Sequence, residues 1–515
     1  MSDFTLHEKA ASNFMSSTTE DVVTKLRIIT RATAIALLAL PALAAPPAAT
    51  FRENPDGFGH MLVVPYFTAQ NGNATLINIT NTDVVNGKAV KVRFRGAGNA
   101  DRLLDFSLFL GPGDVWAAEV SKNPVSGLAR LYTPDSSCTL PTNVNLDFRV
   151  DRLDTAVPGY ANETREGYVE ILNMADVPPD TSLYTSITPV MGGLPEPCSN
   201  GSKAPAALAA LLSSAGVASA GLMSPTTGLM ANWSIFNVPD ATSWSGPATA
   251  LQATTASGIP GAGLMVLQPQ TTNPPVQATN SMTADPLFRA TIVQPQSADF
   301  PDFSTPYVSN MDPLQQVATI SAAIAKSTVT NEFFTDDLVQ AQTDWVMTLP
   351  TRRYEMAADK TGAMLYTSNP SSQYFKTVDT TSPGAQVAKY CLKSYDRVAR
   401  DRSVRSYTGN NDIPPYIPPA SDEPRFYWMC GAAAVTSVNA EDRLAASALS
   451  ASVTRNNELF PFVDGWIKVD INTSAGKGLP LIGAVFSKAT STSVSPGVSG
   501  NFGLLWPHRY TRPEN

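Results

Sequence analysis

Alternating apolar and polar residues mark much of the chain as antiparallel β-strands. Across residues 90–95, each apolar side chain is followed by a lysine or an arginine, and Phe106, Leu108 and Leu110 repeat the period of two. This spacing puts apolar side chains on one face of a strand and charges on the other, which is typical of a half-buried strand. Residues 72–120 therefore predict β-sandwich architecture.

Two strand patterns far apart in the chain resemble each other. Residues 166–172 and 464–469 both read acidic residue, glycine, aromatic residue and then β-branched residues alternating with a charge. Two matches of this length do not establish a repeat, although they are compatible with two related sheets.

One segment has the pattern of a helix. Asp312 suits the N-cap and Pro313 the first helical position, and Leu314, Val317 and Ile320 fall near one face. We expect a helix from Pro313 to about residue 326.

These patterns predict an all-β fold, an antiparallel β-sandwich with immunoglobulin-like strands and a few short helices. The chain is long enough for one large sandwich or two packed sandwiches. We expect four regions: a signal peptide at residues 1–44, an N-terminal β-sandwich region at 45–200, an Ala/Thr/Pro-rich region with short strands at 201–310, and a helix plus a C-terminal β region, packing on the first, at 311–515.

The first residues predict export. A basic region with Lys25, Arg27 and Arg31 precedes a short apolar run at residues 32–40 and a small-x-small cleavage site at residues 42–44, the order found in signal peptides. The apolar run is too short to span a bilayer comfortably, and we expect no membrane span. The predicted location is the cell surface or the extracellular medium, with the periplasm as the alternative.

Charge and cysteine content narrow the class of protein. The net charge of −8 and pI of about 5.1 give no basic footprint for nucleic acid.

Four cysteines in an exported chain indicate two disulfides. Of the three pairings, the local one, Cys138 with Cys198 and Cys391 with Cys430, is favoured because the partners flank the same predicted segments.

The chain shows little catalytic equipment. Of its three histidines, His7 lies in the predicted signal, which leaves His60 and His508, far apart in sequence. Signatures of a nucleophile elbow, a zinc protease or a P-loop are missing. We predict no catalytic residue, and an enzyme is the less favoured class.

Carboxylates and tryptophans are the remaining candidates for a site. Asp299 and Asp302 lie in the stretch Asp-Phe-Pro-Asp-Phe at residues 299–303 and are the candidate ligands if a calcium ion is bound; no other cofactor is expected. Trp233 and Trp244 flank a loop and are the candidates for a sugar-stacking site, although a core position is favoured for Trp233.

At residues 344–353 the chain reads Asp-Trp-Val-Met-Thr-Leu-Pro-Thr-Arg-Arg. Together with residues 57–66, 90–95, 331–333 and the closing Gly-Trp at 465–466, this string resembles a family of exported proteobacterial cell-surface proteins. The resemblance covers nearly the whole mature chain. It implies a cell-surface location and β-sandwich material, and it implies no catalytic residues.

We therefore expect an exported structural or adhesive protein, in its sharpest form a surface-layer-like lattice whose partners are itself or other envelope components. The alternatives are an extracellular glycan-binding module or glycosidase, and a periplasmic binding or assembly protein. The uncharged strands at residues 74–80 and 481–486 would offer a self-assembly surface if they lie at sheet edges. The other reading is that both are central strands.

Overall fold

Two pairs of antiparallel sheets face each other in this protein. The computed structural model describes residues 45–188, 198, 204–269, 281–309, 311–381, 390–394, 396–407, 427–440, 446–495 and 498–514. The predicted signal at residues 1–44 lies outside the described residues. Residues from Pro46 onward form one compact unit.

The first half of the chain supplies twelve of the described strands. In chain order they are β1 Thr50–Asn54, β2 Met61–Thr68, β3 Asn73–Asn81, β4 Gly87–Gly96, β5 Arg102–Leu110, β6 Val115–Lys122, β7 Ala129–Tyr132, β8 Cys138–Leu140, β9 Glu166–Val177, β10 Leu229–Asn237, β11 Thr242–Pro247 and β12 Thr249–Thr254.

The second half supplies the remaining described strands. They are β13 Ala325–Lys326, β14 Thr328–Phe334, β15 Gln342–Thr348, β16 Met356–Ala358, β17 Leu365–Thr367, β18 Thr380–Thr381, β19 Cys391–Ser394, β20 Asp396–Arg400, β21 Ser406–Tyr407, β22 Tyr427–Cys430, β23 Ala433–Ala440, β24 Arg455–Phe460, β25 Asp464–Asp470, β26 Leu479–Pro480, β27 Ile482–Ser495, β28 Val498–Pro507 and β29 Arg509–Thr511.

The described helices are short and connect or flank the sheets: α1 Ser182–Ile187, α2 Ala204–Ala210, α3 Ser214–Ser219, α4 Pro286–Arg289 and α5 Pro313–Ile324. Helix α5 is the predicted one. Its N-cap Asp312 and residue Gln315 form a capping box, and Val317, Ile320 and Ile324 are buried.

Four large sheets build two sandwiches. Sheet A has the order β1-β12-β2-β9-β4-β5-β8 and sheet B the order β11-β10-β3-β6-β7; sheet C has the order β21-β20-β25-β14-β29 and sheet D the order β24-β23-β15-β27-β28. Sheets A and B form the first sandwich, where Phe106 packs on Trp116. Sheets C and D form the second, where Phe333 stacks on Phe460. The all-β sandwich prediction is confirmed.

Strands β10, β11 and β12 belong to the first sandwich, although they fall within the predicted 201–310 region. Strand β10 pairs with β3, and β12 pairs with β1 and β2. The first sandwich therefore draws on residues on both sides of position 200, because two strands of its sheet B and one of its sheet A come from the later segment.

The proposed edge strands are central. Strand β3, which contains residues 74–80, is paired on both sides by β10 and β6, and β27, which contains residues 482–486, is paired by β15 and β28. Their backbone groups are used within the sheets, so of the two readings the central one holds, and the edge position that self-assembly through these strands requires does not. Their lack of charge reflects burial on one face and not an open edge.

The two sandwiches share one topology. Sheet A contains the run β12-β2-β9-β4-β5 and sheet C the run β29-β14-β25-β20-β21, while sheet B has the order β11-β10-β3-β6-β7 and sheet D the order β28-β27-β15-β23-β24. The matched pairs are β2 with β14, β3 with β15, β4 with β20, β5 with β21, β6 with β23, β7 with β24, β9 with β25, β10 with β27, β11 with β28 and β12 with β29. These ten strands occur in the same order along the chain in both halves. The pairings are antiparallel except that β24 runs parallel to β23. The two sandwiches are therefore structural repeats in which β24 alone runs in the opposite direction to its counterpart β7.

Matching residues fix the register of the duplication. Gly167 of β9 lies opposite Phe67 of β2, and Gly465 of β25 lies opposite Phe333 of β14. A Cβ atom on Gly167 would lie 1.7 Å from the Arg95 carbonyl oxygen, and one on Gly465 would lie 2.0 Å from the carbonyl oxygen of Arg400. The glycine is therefore required at the same place in both copies, because the neighbouring strand passes too close for a side chain.

A second match joins β2 to β3 and β14 to β15. The Thr75 hydroxyl accepts a hydrogen bond from the Thr68 amide and donates to the Thr68 carbonyl, both at 2.9 Å. The Thr343 hydroxyl makes the same two bonds to Phe334, at 3.1 and 2.8 Å. Residue 75 therefore corresponds to residue 343, and the echo between residues 166–172 and 464–469 is one part of a full repeat.

Candidate functional site

A buried cluster of charges covers the side of sheet A that faces away from sheet B. Lys91, Arg93 and Arg95 of β4 are each less than 5 % exposed. The predicted solvent-facing position of these charges is therefore wrong. Residues 281–308 and the segment after β15 cover this side of the sheet. The cations are buried because each finds an acidic or carbonyl partner in these segments or on the neighbouring strands β5 and β9.

Two carboxylates form ion pairs with the lysine and the arginine at the two ends of this cluster. The Lys91 ammonium lies 2.7 Å from Asp105, and Arg95 lies 3.2 Å from Glu170. Burial lowers the pKa of Lys91 to about 8, although Asp105 opposes the shift. Burial by itself would raise the pKa of Asp105, but Lys91 and Arg102 lower it to about 2. Both groups of this pair are charged at neutral pH.

The Thr-Arg-Arg end of the 344–353 string anchors the second half of the chain to this cluster. Arg353 binds Asp101 and Asp285, each at 2.7 Å, and donates to the Asn99 carbonyl at 3.0 Å. Arg352 donates to the carbonyl of Gly98 at 3.4 Å. Both arginines therefore bind the β4–β5 turn of the first sandwich, and the 344–353 string has a structural role.

The Asp-Trp end of the same string lies between the sandwiches. Asp344 is fully buried and accepts hydrogen bonds from Ser437, Ser447 and the Leu449 amide at 2.6 to 2.8 Å. Burial raises the pKa of Asp344, and these donors oppose that shift. Trp345 faces the interior of the second sandwich and donates to the Glu332 carbonyl.

An open cleft of about 370 Å³ lies beside the β4–β5 turn. Its floor is the turn from Gly96 to Asp101, and its walls come from the loop at residues 152–163, the β16–β17 turn and Val453. Asn99 fixes the floor, because its side chain donates to the Ala358 carbonyl and accepts from the amide of Ala358, both at 2.8 Å. The cleft therefore forms where the two halves of the chain meet.

The lining of the cleft combines an apolar wall with a polar rim. The wall includes Leu153, Val157, Pro158, Tyr160 and Val453, and the charged residues around it are Arg152, Asp154, Glu163, Asp359 and Lys360. A volume of this size is in the range of small-molecule sites. The rim has more acids than bases, which favours a neutral polyhydroxylated or a cationic ligand over an anion.

The candidate calcium ligands are structural anchors in the described residues. Asp299 binds Arg102 at 2.9 Å and Arg152 at 3.3 Å. Asp302 accepts from Ser304 at 2.6 Å and from Thr283 at 2.7 Å. A calcium ion at Asp299 would have to displace two guanidinium groups. Over the part of the chain that the structure describes, no group of three or more histidine, cysteine, aspartate or glutamate side chains is placed to hold a metal.

The tryptophans proposed for sugar stacking are buried between the sandwiches. Trp233 and Trp244 are each 2 % exposed, and their ring centroids lie 5.7 and 6.2 Å from that of Phe486. The Trp244 indole donates to the Ser487 carbonyl at 2.9 Å. The core position favoured for Trp233 is confirmed, and the exposed position expected for Trp244 is wrong, because each indole packs at the junction between the sandwiches.

Both histidines among the described residues are buried core residues. His60 lies 2.9 Å from the Gly261 carbonyl oxygen and accepts from the amide of Ala253, and burial lowers its pKa to about 3. His508 lies 3.0 Å from the Val346 carbonyl oxygen, and burial lowers its pKa to about 4. Each ring therefore bonds backbone groups of the strands that surround it.

Sequence reasoning missed the cleft because its walls are loops from distant parts of the chain. The turn at residues 96–101, Gly-Ala-Gly-Asn-Ala-Asp, was the available signal. Two small glycines and an asparagine within six residues are typical of a turn that another segment approaches closely. The two arginines that bind this turn, Arg352 and Arg353, were singled out only as part of the 344–353 string that resembles the exported family.

Both disulfides form in the favoured local pairing, Cys138 with Cys198 and Cys391 with Cys430. Disulfides are characteristic of proteins in oxidising compartments. Among the described residues, no helix is long and apolar enough to cross a membrane. Comparison with protein-family models, curated proteins and solved structures finds no match for this chain.

Proposed function

We propose that this protein is an exported component of the cell envelope with a structural or adhesive role. The observation that carries the proposal is the junction between the two sandwiches. Arg353 is 3 % exposed and bridges Asp101 and Asp285, so the halves are held by buried ion pairs. A buried pair of this kind opposes hinge motion, because separating the halves would leave charges unpaired.

Three further features support the proposal. Glu166 of the first sandwich is fully buried and accepts from the Ser452 amide of the second half at 2.7 Å. Two disulfides suit an extracytoplasmic compartment. The resemblance of the 344–353 string to exported cell-surface proteins favours the outer surface over the periplasm.

The location is tested by fractionation and by N-terminal sequencing of the protein from its native cells. We expect the exported chain to begin near Ala45, with oxidised cysteines, and to be cleaved when protease is added to intact cells. Cytoplasmic protein that begins before Arg31 and carries free thiols would overturn the proposal. Cleavage only after the outer membrane is opened would place it in the periplasm instead.

The role is tested by deletion. We expect cells without the gene to lose either resistance to osmotic and detergent stress or attachment to surfaces, and the wild-type gene to restore it. The gene for the Arg353→Met variant is returned to the deletion strain as a comparison. This variant keeps the predicted signal peptide but has a weakened junction between the two sandwiches. Normal stress resistance and normal attachment in the deletion strain would contradict a structural or adhesive role.

A second candidate is binding of a glycan, favoured by the cleft beside the β4–β5 turn. Its apolar wall with Tyr160 and its carboxylate rim fit a sugar ring that carries hydroxyl groups. We expect a glycan array to show binding that Tyr160→Ala and Asp359→Asn abolish. Tyr132→Ala, an exposed tyrosine outside the cleft, is the control. Equal binding by all three variants would exclude the cleft as the site.

A further inference from the structure

One face of the second sandwich is covered by the first. Side chains of sheet D that point out of the second sandwich, Val346, Thr348 and Phe486, are fully buried. The Thr348 hydroxyl donates to the Pro65 carbonyl of β2, and Phe486 packs on Tyr66 at 6.4 Å between ring centroids. Sheet D therefore docks on β2 through its outer face.

The corresponding face of the first sandwich is open. Since residue 75 corresponds to residue 343, Leu76 and Asn78 of β3 correspond to Asp344 and Val346 of β15. Leu76 is 38 % exposed, and Phe236 of β10 and Val115 of β6, on the same face, are 39 % and 47 % exposed. We call this surface, the outer side of sheet B, the open face.

The open face has the composition of a docking surface. Its other positions are mostly small or neutral polar residues: Ala74, Asn78, Thr80, Ala117, Asn232 and Ser234. Leu76 and Phe236 are diagonal neighbours on this face, Val115 lies further along it opposite Thr80, and Glu119, opposite Leu76, is the charged residue of β6 here. Exposed large apolar side chains on one face are of the kind that marks protein interaction sites. The duplicate of this face in the same chain is already an interface.

The surface that receives sheet D also has a counterpart. Phe67 corresponds to Phe333, so Tyr66 of β2 corresponds to Glu332 of β14. Strand β12 pairs only with residues 61–63 of β2, and β29 pairs only with residues 328–330 of β14, so the later part of each strand is free of that neighbour. In β2 this part is covered by sheet D. In β14, Glu332 is exposed.

We propose that the open face of one chain docks on the exposed end of β14 of a second copy, repeating the contact that sheet D makes on β2. In this arrangement Ser234, which corresponds to Phe486, faces Glu332 and donates a hydrogen bond to its carboxylate. The contact uses different surfaces on the two copies. It is therefore heterologous and adds copies head to tail.

This inference deepens the proposed structural role and rests on it, but the two are measured separately. Head-to-tail association is a property of the purified mature protein, whereas location and role are measured in cells. Failure of association in solution therefore leaves the proposed location standing, and cytoplasmic retention does not alter the solution result.

The test is sedimentation velocity over a concentration series up to the millimolar range. We expect the wild type to form a ladder of species larger than the monomer. Leu76→Arg, which places a charge in the open face, and Glu332→Arg, which places bulk and opposite charge on β14, are each expected to be monomeric. Leu338→Arg, at a leucine that is 86 % exposed outside both surfaces, is the matched control and should associate as the wild type does.

Mixing the two blocked variants decides the geometry. Each variant retains the surface that the other has lost, so the mixture should form a one-to-one dimer and nothing larger. Circular dichroism and melting temperature, unchanged from the wild type, show that both variants are folded. The proposal would be overturned by any of three results: the wild type is monomeric, the purified Glu332→Arg variant associates with itself, or the mixture of the two variants stays monomeric.

Discussion

The Tyr354 hydroxyl lies 2.9 Å from both carboxylate oxygens of Glu170. Tyr354 follows the Thr-Arg-Arg end of the string in the second half of the chain, and Glu170 lies on β9 in the first. Arg95 donates to the same hydroxyl at 2.7 Å. This tyrosine therefore joins a buried acid and a buried base across the junction of the two sandwiches.

Removing that hydroxyl tests the junction. Tyr354→Phe leaves the ring in place but deprives buried Glu170 of a donor, and we expect a loss of about 1–3 kcal/mol in the free energy of unfolding. Denaturant titration followed by tryptophan fluorescence measures it. Tyr132→Phe, at a half-exposed tyrosine, is the control. Equal stability of both variants and the wild type would contradict a structural role for the hydroxyl.

Arg353→Met should be among the more damaging single substitutions. It leaves Asp101 and Asp285 buried without their cation, and breaking a buried pair costs about 3–5 kcal/mol. The comparison is Arg149→Gln, which removes an ion pair to Asp151 that is about 40 % exposed at both ends. An exposed pair contributes about 0–1 kcal/mol. A similar melting temperature for the two variants would show that Arg353 does not hold the halves together.

Glu355 should make the protein less stable as pH rises. Its carboxyl is buried against Ser372, and burial raises its pKa from the ordinary 4.5 to about 8, although a hydrogen bond from Ser321 opposes the shift. The folded state therefore holds one proton more than the unfolded chain from about pH 5 to pH 8. The free energy of unfolding should fall through this window by about 1.4 kcal/mol per pH unit from this group.

The Glu355→Gln variant isolates this contribution. Glutamine is a neutral analogue of the protonated acid, so the variant should lack the fall and should exceed the wild type in stability at pH 8. Thermal melts from pH 5 to pH 8.5 compare the two proteins. Parallel pH profiles would refute the assignment.

Each disulfide should stabilise the fold by about 4 kcal/mol in the chain-entropy model, because the closed loops span 60 and 39 residues. Replacing either pair by serine should lower the melting temperature under oxidising conditions. Dithiothreitol should lower that of the wild type and leave the variant without both disulfides unchanged. A wild type insensitive to reductant would contradict this expectation.

The period of two in β4 predicted the strand correctly but not its surroundings. Lys91, Arg93 and Arg95 alternate with apolar residues as on a solvated face, yet the structure buries them. Periodicity reports that a face is polar and does not report whether water or another part of the chain satisfies it. Lys91 finds its acid nearby, at Asp105, but Arg95 pairs with Glu170 about 75 residues away, and Arg93 donates to the backbone carbonyl of Asp299 about 200 residues away.

The charged segment at residues 396–405 shows the same limit of local reasoning. Opposite charges four residues apart, Asp396 with Arg400, favour a helical face, but residues Asp396–Arg400 form strand β20 between β25 and β21. Pairing with β25 contributes more than i to i+4 ion pairs, which add only a few tenths of a kcal/mol. Helix α5, whose cap is local, was predicted to within two residues of its end.

The hydrophobic core of the first sandwich continues into sheet D through Val346, Ala484 and Phe486. The second sandwich also has a core of its own, built only from residues 329–485, whereas the core of the first sandwich is completed by these side chains of sheet D. Loss of the second half would therefore expose the apolar side chains of the first sandwich that sheet D covers, and loss of the first half would expose the outer face of sheet D to water.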